Sequence, residues 1–135
     1  MRRRRRLFTI ALELTSAAAI PVARSGAVVY GSTVDANTVP YTVAILDRDR
    51  PNAFWAQFCG GEYVDSYWVL TVVHCVVGRK AHGIQVASGI TKLSDVTVAD
   101  RRDVAQIIVD PGFDALKLTS DVALLRLEQP VPACG

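Results

Sequence analysis

At 135 residues, half of them apolar, the chain has room for one domain of ordinary size and enough hydrophobic side chain to bury a core, which excludes a disordered polypeptide. Its formal charge of +2 is unevenly placed: Arg2 to Arg6 and Arg24 face only Glu13 among the first 27 residues, so residues 28–135 carry −3. A mildly acidic body with no lysine–arginine cluster after Arg24 excludes nucleic acid as the expected partner.

In chain order, the first element is an export signal. Arg2 to Arg6, the apolar Leu7, Phe8, Ile10, Ala11 and Leu12, and the small residues Ser16 to Ala19 have that layout, which predicts a secreted protein. Glu13 and Pro21 interrupt the apolar stretch, so no stable membrane-spanning helix is expected. Ser25-Gly26-Ala27 sets small residues at the third and first positions before a cut. Residues 1–27 therefore read as a signal peptide, or a signal plus a short propeptide, with Val28 as the new amino terminus. Processing after Ala19 or Ala23 is the alternative.

Beyond Val28 the pattern is short runs rich in β-branched and aromatic residues, with no sustained helical period. Candidate strands are Tyr41 to Leu46, Phe54 to Phe58, Glu62 to Val64, Trp68 to Val72, Ile84 to Ser88, Val104 to Val109 and Asp121 to Leu127. Six or seven such strands predict an all-β barrel or sandwich. Asp47 to Asn52 reads as a charged, proline-bearing hairpin loop, Gly60-Gly61 as a tight bend and Asp110-Pro111-Gly112 as a turn. Trp55 and Trp68 are expected in the core or between strands.

Three cysteines agree with export. A disulfide between Cys59 and Cys75 would close a small loop and contribute about 3 kcal/mol by constraining the unfolded chain. Cys134 is left over, which points to a partner in another chain or in sequence beyond the one given.

Two segments carry chemistry. Thr71-Val72-Val73-His74-Cys75 ends an apolar run with a histidine, and Ser120-Asp121-Val122-Ala123-Leu124-Leu125-Arg126-Leu127 opens another with an aspartate. An imidazole takes a hydroxyl proton when a carboxylate fixes its tautomer and stabilises the imidazolium that forms. Taken singly, His74 reads as a structural histidine and Asp121 as a cap at a strand start. A zinc site from Cys59, His74, Cys75 and His82 is disfavoured, because adjacent His74 and Cys75 point to opposite sides of an extended chain. No metal and no cofactor is expected, and His82 reads as a solvated loop residue.

Several further blocks fall in one order. Val28-Val29-Tyr30-Gly31, Pro40-Tyr41-Thr42-Val43-Ala44-Ile45, Phe58-Cys59-Gly60-Gly61, the Trp68 to Cys75 block, Asp110-Pro111-Gly112-Phe113-Asp114 and the Ser120 to Leu127 block resemble the amino-terminal half of chymotrypsin-like (trypsin-fold) serine endopeptidases. The resemblance implies a fold of two Greek-key β-barrels with the active site between them, of which residues 28–135 supply the first. It implies peptide-bond hydrolysis of protein or peptide substrates, His74 as general base then acid, Asp121 as its orienter, and a Cys59–Cys75 disulfide supporting the histidine loop.

The departures matter as much. Val72 and Val73 stand where the family usually has two alanines, and extra methyls in a packed site can cost about 1 to 3 kcal/mol and could displace the histidine. None of the serines at 16, 25, 32, 66, 88, 94 and 120 lies between two glycines. The 135 residues thus read as a truncated protease domain, a single six- to seven-stranded antiparallel Greek-key barrel lacking nucleophile and oxyanion hole and inactive alone. Its expected partners are peptide substrates and a second chain carrying the missing barrel. The alternative is a non-catalytic secreted binding module that uses the half-scaffold as an interaction surface.

Overall fold

The computed structural model describes residues 31, 32, 34, 35 and 38–131. The chain divides into Met1–Ser32 and Thr33–Gly135, and the architecture below belongs to the second unit. The expected signal segment, the Val28 terminus and Cys134 lie outside the described residues.

Six strands form one closed antiparallel barrel: β1 (Thr42–Asp47), β2 (Gln57–Asp65), β3 (Trp68–Thr71), β4 (Ile84–Ser88), β5 (Arg101–Val109) and β6 (Ala123–Leu127). Their order around the barrel is β1-β2-β3-β6-β5-β4, with β4 closing against β1. Three consecutive strands and a fourth that returns to lie beside the first make a Greek key. Closure leaves none of these six strands at a sheet edge among the described residues. Two single helical turns, α1 (Ala53–Ala56) and α2 (Val73–Val76), sit after β1 and β3.

Alternation explains the core. Val43 and Ile45 of β1, Val69 of β3, Ile84 and Val86 of β4, Val104 of β5 and Ala123, Leu125 and Leu127 of β6 point into the barrel and are buried together. Val73 and Val76 of α2 join the same cluster. The opposite face of β1 is buried too: Ala44 and Leu46 pack with Ala87 under Ala53 and Ala56 of α1, flanked by Ile90, Leu93 and Val96. Both faces of β1 are therefore apolar, as its Val-Ala-Ile-Leu run requires.

The expected strand Phe54 to Phe58 is corrected by the structure. Asn52 caps a helical turn there, its side chain accepting from the Trp55 N–H at 3.3 Å, and Ala53 and Ala56, three apart, plug the outer cluster. Phe54 and Trp55 face out instead, with Trp55 69% exposed and its ring edge-on to Phe54 at 5.0 Å between centroids. Trp55 is thus not a core residue. Gly60-Gly61 is not a bend either, because both lie inside the nine-residue β2, which absorbs the expected Glu62 to Val64 strand. β5 begins at Arg101, three residues before the expected Val104. The buried Arg101 guanidinium is accommodated by the carbonyls of Arg50 at 2.9 Å and Pro51 at 2.6 Å.

Candidate active site

β3 and β6 pair from Trp68↔Arg126 to Thr71↔Ala123. Beyond that last pair, the chain leaving β3 reaches His74 and the chain entering β6 carries Asp121, so strand register alone brings the two blocks together. After the extended Val72, Val73 and Val76 bury themselves in the core at a spacing of three, and one helical turn results, closed by the Val77 N–H on the Val73 carbonyl at 2.8 Å. His74 is thereby turned outward. The extra methyl groups of Val73 are taken up in the core and those of Val72 are half-buried, and His74 remains paired with Asp121.

Asp121 grips His74 twice. Its Oδ1 accepts the His74 backbone N–H at 2.8 Å, and its Oδ2 lies 2.6 Å from the ring Nδ1. Its backbone is held by a tight local reversal: Ser120 adopts φ +53°, in the left-handed region, and the Val122 N–H bonds back to the Ser120 carbonyl at 2.9 Å. Before it, the Gly112 N–H donates to Asp110 Oδ1 at 2.7 Å and the Asp110 N–H to the Val122 carbonyl at 3.0 Å, closing the turn expected at Asp110-Pro111-Gly112.

The hydrogen bond from the His74 side chain holds the Asp121 carboxyl below the ordinary carboxylate range. Desolvation opposes this, while the His74 backbone N–H and the positive charge available to the ring add to it. An ionised carboxylate is acceptor only, so the neutral imidazole carries its proton on Nδ1 and presents an unprotonated Nε2. The His74 side chain is 53% exposed against 17% for Asp121, and Nε2 has no hydrogen-bond partner among the described residues. The couple is therefore an oriented imidazole whose Nε2 is turned to solvent.

Cys59 of β2 and Cys75 of α2 are joined in a disulfide with Cα atoms 6.2 Å apart, which ties the histidine turn to the neighbouring strand. With both sulfurs so bonded, neither is a thiolate ligand. Among the described residues, no three acidic, cysteine or histidine side chains form a metal-sized group. His82 sits exposed in a 3₁₀ turn, Ala81–Gly83, and its carbonyl accepts from Arg48 at 3.3 Å. It takes no part in the couple.

The sequence reading missed one supporting residue. Thr71 is buried, 6% exposed, and its Oγ1 donates to the Gly60 carbonyl at 2.8 Å, stitching β3 to β2 beside the disulfide. A hydroxyl on the inward phase of a strand was the signal for it. Beside Asp121 lies a shallow, mostly apolar depression of about 300 Å³, lined by Gly60, Gly61, Glu62, Leu70, Thr71, Val72, Asp121 and Val122.

A closed Greek-key barrel that sets a histidine turn against an aspartate through one strand pair has the architecture of a trypsin-like protease barrel. Residues 28–133 match the family model described as Trypsin, and the chain belongs to that family. It is 32% identical over 118 residues to a mouse (Mus musculus) protein named tryptase, a match spanning 87% of this chain and 42% of that one. Against pig (Sus scrofa) trypsin the identity is 32% over 105 residues, 76% of this chain and 40% of the relative. Among solved structures, the Vibrio cholerae VesB protease superposes with a TM-score of 0.67 at 27% identity, over 74% of this chain and 30% of that one. The secreted serine protease VesC of the same organism gives 0.66 at 32%, over 75% and 21%. The chain spans about two fifths of the length of these two curated relatives.

Proposed function

We propose that His74 and Asp121 are the base and orienting acid of a serine endopeptidase whose hydroxyl nucleophile and oxyanion donors belong to sequence outside the 135 residues given. The observation that carries this is the double grip of Asp121 on His74, at 2.8 Å to the backbone and 2.6 Å to Nδ1. That geometry serves proton transfer at Nε2: the base takes a hydroxyl proton, and the carboxylate stabilises the imidazolium without itself being protonated. Residues 28–135 are the first barrel of the domain, a reading supported by a family match that begins at Val28. Residues 1–27 are a signal segment, so the barrel is exported; VesC, one of the similar structures, is described as secreted.

By this reading the 135-residue chain alone hydrolyses no peptide and takes up no serine-directed phosphonate probe. Mixed with a polypeptide carrying the remaining part of a trypsin-family domain, it gains both activities, and His74→Ala removes turnover. Turnover with stoichiometric labelling of the isolated chain, or reconstitution indifferent to His74, would overturn it. Amino-terminal sequencing of the exported product checks the segment boundary, with Val28 expected first.

A second reading, a non-catalytic binding module, is favoured by one feature. Leu70, Leu124 and Ile108 pair across β3, β6 and β5, and with Val122 they form an apolar row on the outer barrel face. A stable, monodisperse chain that reconstitutes no activity would support this module over the protease half.

A further inference from the structure

Beside His74 the structure fixes an arginine in an unusual way. Gly78, at φ +76°, ends the histidine turn in the left-handed region, and the Arg79 N–H closes on the Val76 carbonyl at 3.0 Å. The reversal folds the Arg79 side chain back over α2. Its guanidinium carbon stands 3.7 Å from the centroid of the Phe58 ring, and its Nε donates to the carbonyl of Cys75, the residue after His74, at 3.2 Å. The stacking and the Nε bond together hold the guanidinium plane. The two terminal nitrogens keep no hydrogen-bond partner among the described residues.

The charge of the chain segment that carries Arg79 is one-sided. From Ser66 to Ser94 the chain carries no aspartate or glutamate, and its cations there are Arg79, Lys80 and Lys92. Arg79 and Lys80 form no ion pair among the described residues. Of the carboxylates on nearby elements, Asp121 is engaged with His74 at 2.6 Å, Asp103 with Arg48 at 3.6 Å and Asp47 with Arg50 at 3.9 Å, and Glu62, four residues along β2 from Phe58, forms no ion pair among the described residues. A planar fork restrained by stacking and one hydrogen bond has less rotamer freedom to lose on binding, and its geometry matches a carboxylate with two parallel N–H···O bonds.

We propose that the Arg79–Phe58 shelf beside His74 is a docking site for an acidic side chain of a bound polypeptide, its carboxylate gripped by the two terminal nitrogens of Arg79. The proposal rests on the preceding section only in that a polypeptide crosses the His74 face; it does not require catalysis.

The test uses the 135-residue chain with two blocked peptides, acetyl-tetraglutamate amide and acetyl-tetraglutamine amide, followed by the NMR signal of the Arg79 Nε–H. The glutamate peptide is expected to shift that signal and to bind more weakly as salt rises, with the glutamine peptide inert. Arg79→Lys, which keeps the charge and loses the fork, weakens binding about threefold, and Arg79→Gln about tenfold or more. Unchanged amide spectra of the barrel check that both variants stay folded. Equal binding of the two peptides, or wild-type affinity in Arg79→Gln, would overturn the proposal. Glutamate binding that persists in His74→Ala supports the shelf even where reconstitution of protease activity fails, so the two readings are separable.

Discussion

Asp121 binds the backbone and the ring of His74 at once, through different oxygens, 2.8 Å to the N–H and 2.6 Å to Nδ1. One carboxylate thus fixes both where the helical turn begins and how its imidazole is oriented. Because the second contact demands a proton on Nδ1, the carboxylate also sets the nitrogen left free for chemistry. Asp121→Asn keeps an oxygen for the backbone N–H and offers an amide N–H to Nδ1, which inverts the tautomer. The expected readout is a ¹⁵N spectrum of neutral His74 with the proton moved to Nε2. In the reconstituted enzyme the same change lowers turnover by a factor on the order of 10⁴.

The lowered Asp121 pKa makes a stability prediction with a definite sign. The His74 hydrogen bond favours the ionised carboxyl in the folded chain, so the unfolded chain takes up a proton first as pH falls. The stabilisation is whole above the ordinary carboxylate pKa of about 4 and is lost as pH drops through the lowered folded value. Asp100 behaves alike, its carboxylate accepting from the Thr97 hydroxyl at 2.7 Å and the Thr97 N–H at 2.8 Å. Urea midpoints measured between pH 2 and 6 should fall on the acid side in the wild type and fall less in Asp121→Asn. An equal slope in the two chains would show that the couple does not form in solution.

How much of this was legible beforehand depends on what each signal encodes. The histidine and aspartate blocks could be read because each ends or begins an apolar run, and strand register then does the joining at Thr71↔Ala123. Phe54 to Phe58 could not be told from a strand, since a short aromatic run has no period of its own. Its true determinants were Asn52 as cap and the three-residue spacing of Ala53 and Ala56, which matter only once β1 buries its second face. Arg101 was hidden because charge reads as surface, whereas the carbonyls that accept from its terminal nitrogens lie about 50 residues earlier in the chain.

Gly60 and Gly61 look interchangeable in sequence and are not in the barrel. A β-carbon on Gly61 would stand 2.5 Å from the Leu70 carbonyl oxygen and 3.0 Å from Val69 Cγ1, whereas on Gly60 its nearest neighbour is the Val43 carbonyl oxygen at 3.6 Å. The first clash is with backbone held in the β2–β3 ladder, where Glu62 pairs with Leu70, and it cannot be relieved by a rotamer change. Gly61→Ala should therefore cost about 1 to 3 kcal/mol in urea denaturation, and Gly60→Ala no more than about 0.5 kcal/mol. Equal costs at the two positions would contradict this strand register.

The Cys59–Cys75 bond spans 16 residues and is expected to contribute about 3 kcal/mol by restricting the unfolded chain. Its effect on the couple should be smaller than its effect on stability. His74 is held independently by the two Asp121 contacts, and its helical turn by the burial of Val73 and Val76, none of which needs the sulfur bridge. Replacing both cysteines by alanine should lower the urea midpoint by an amount matching that loss while the Nδ1-protonated tautomer of His74 persists at low denaturant. Loss of the tautomer signature in a still-folded double variant would instead make the bridge a positioning element of the site, acting through Cys75 on the residue before it.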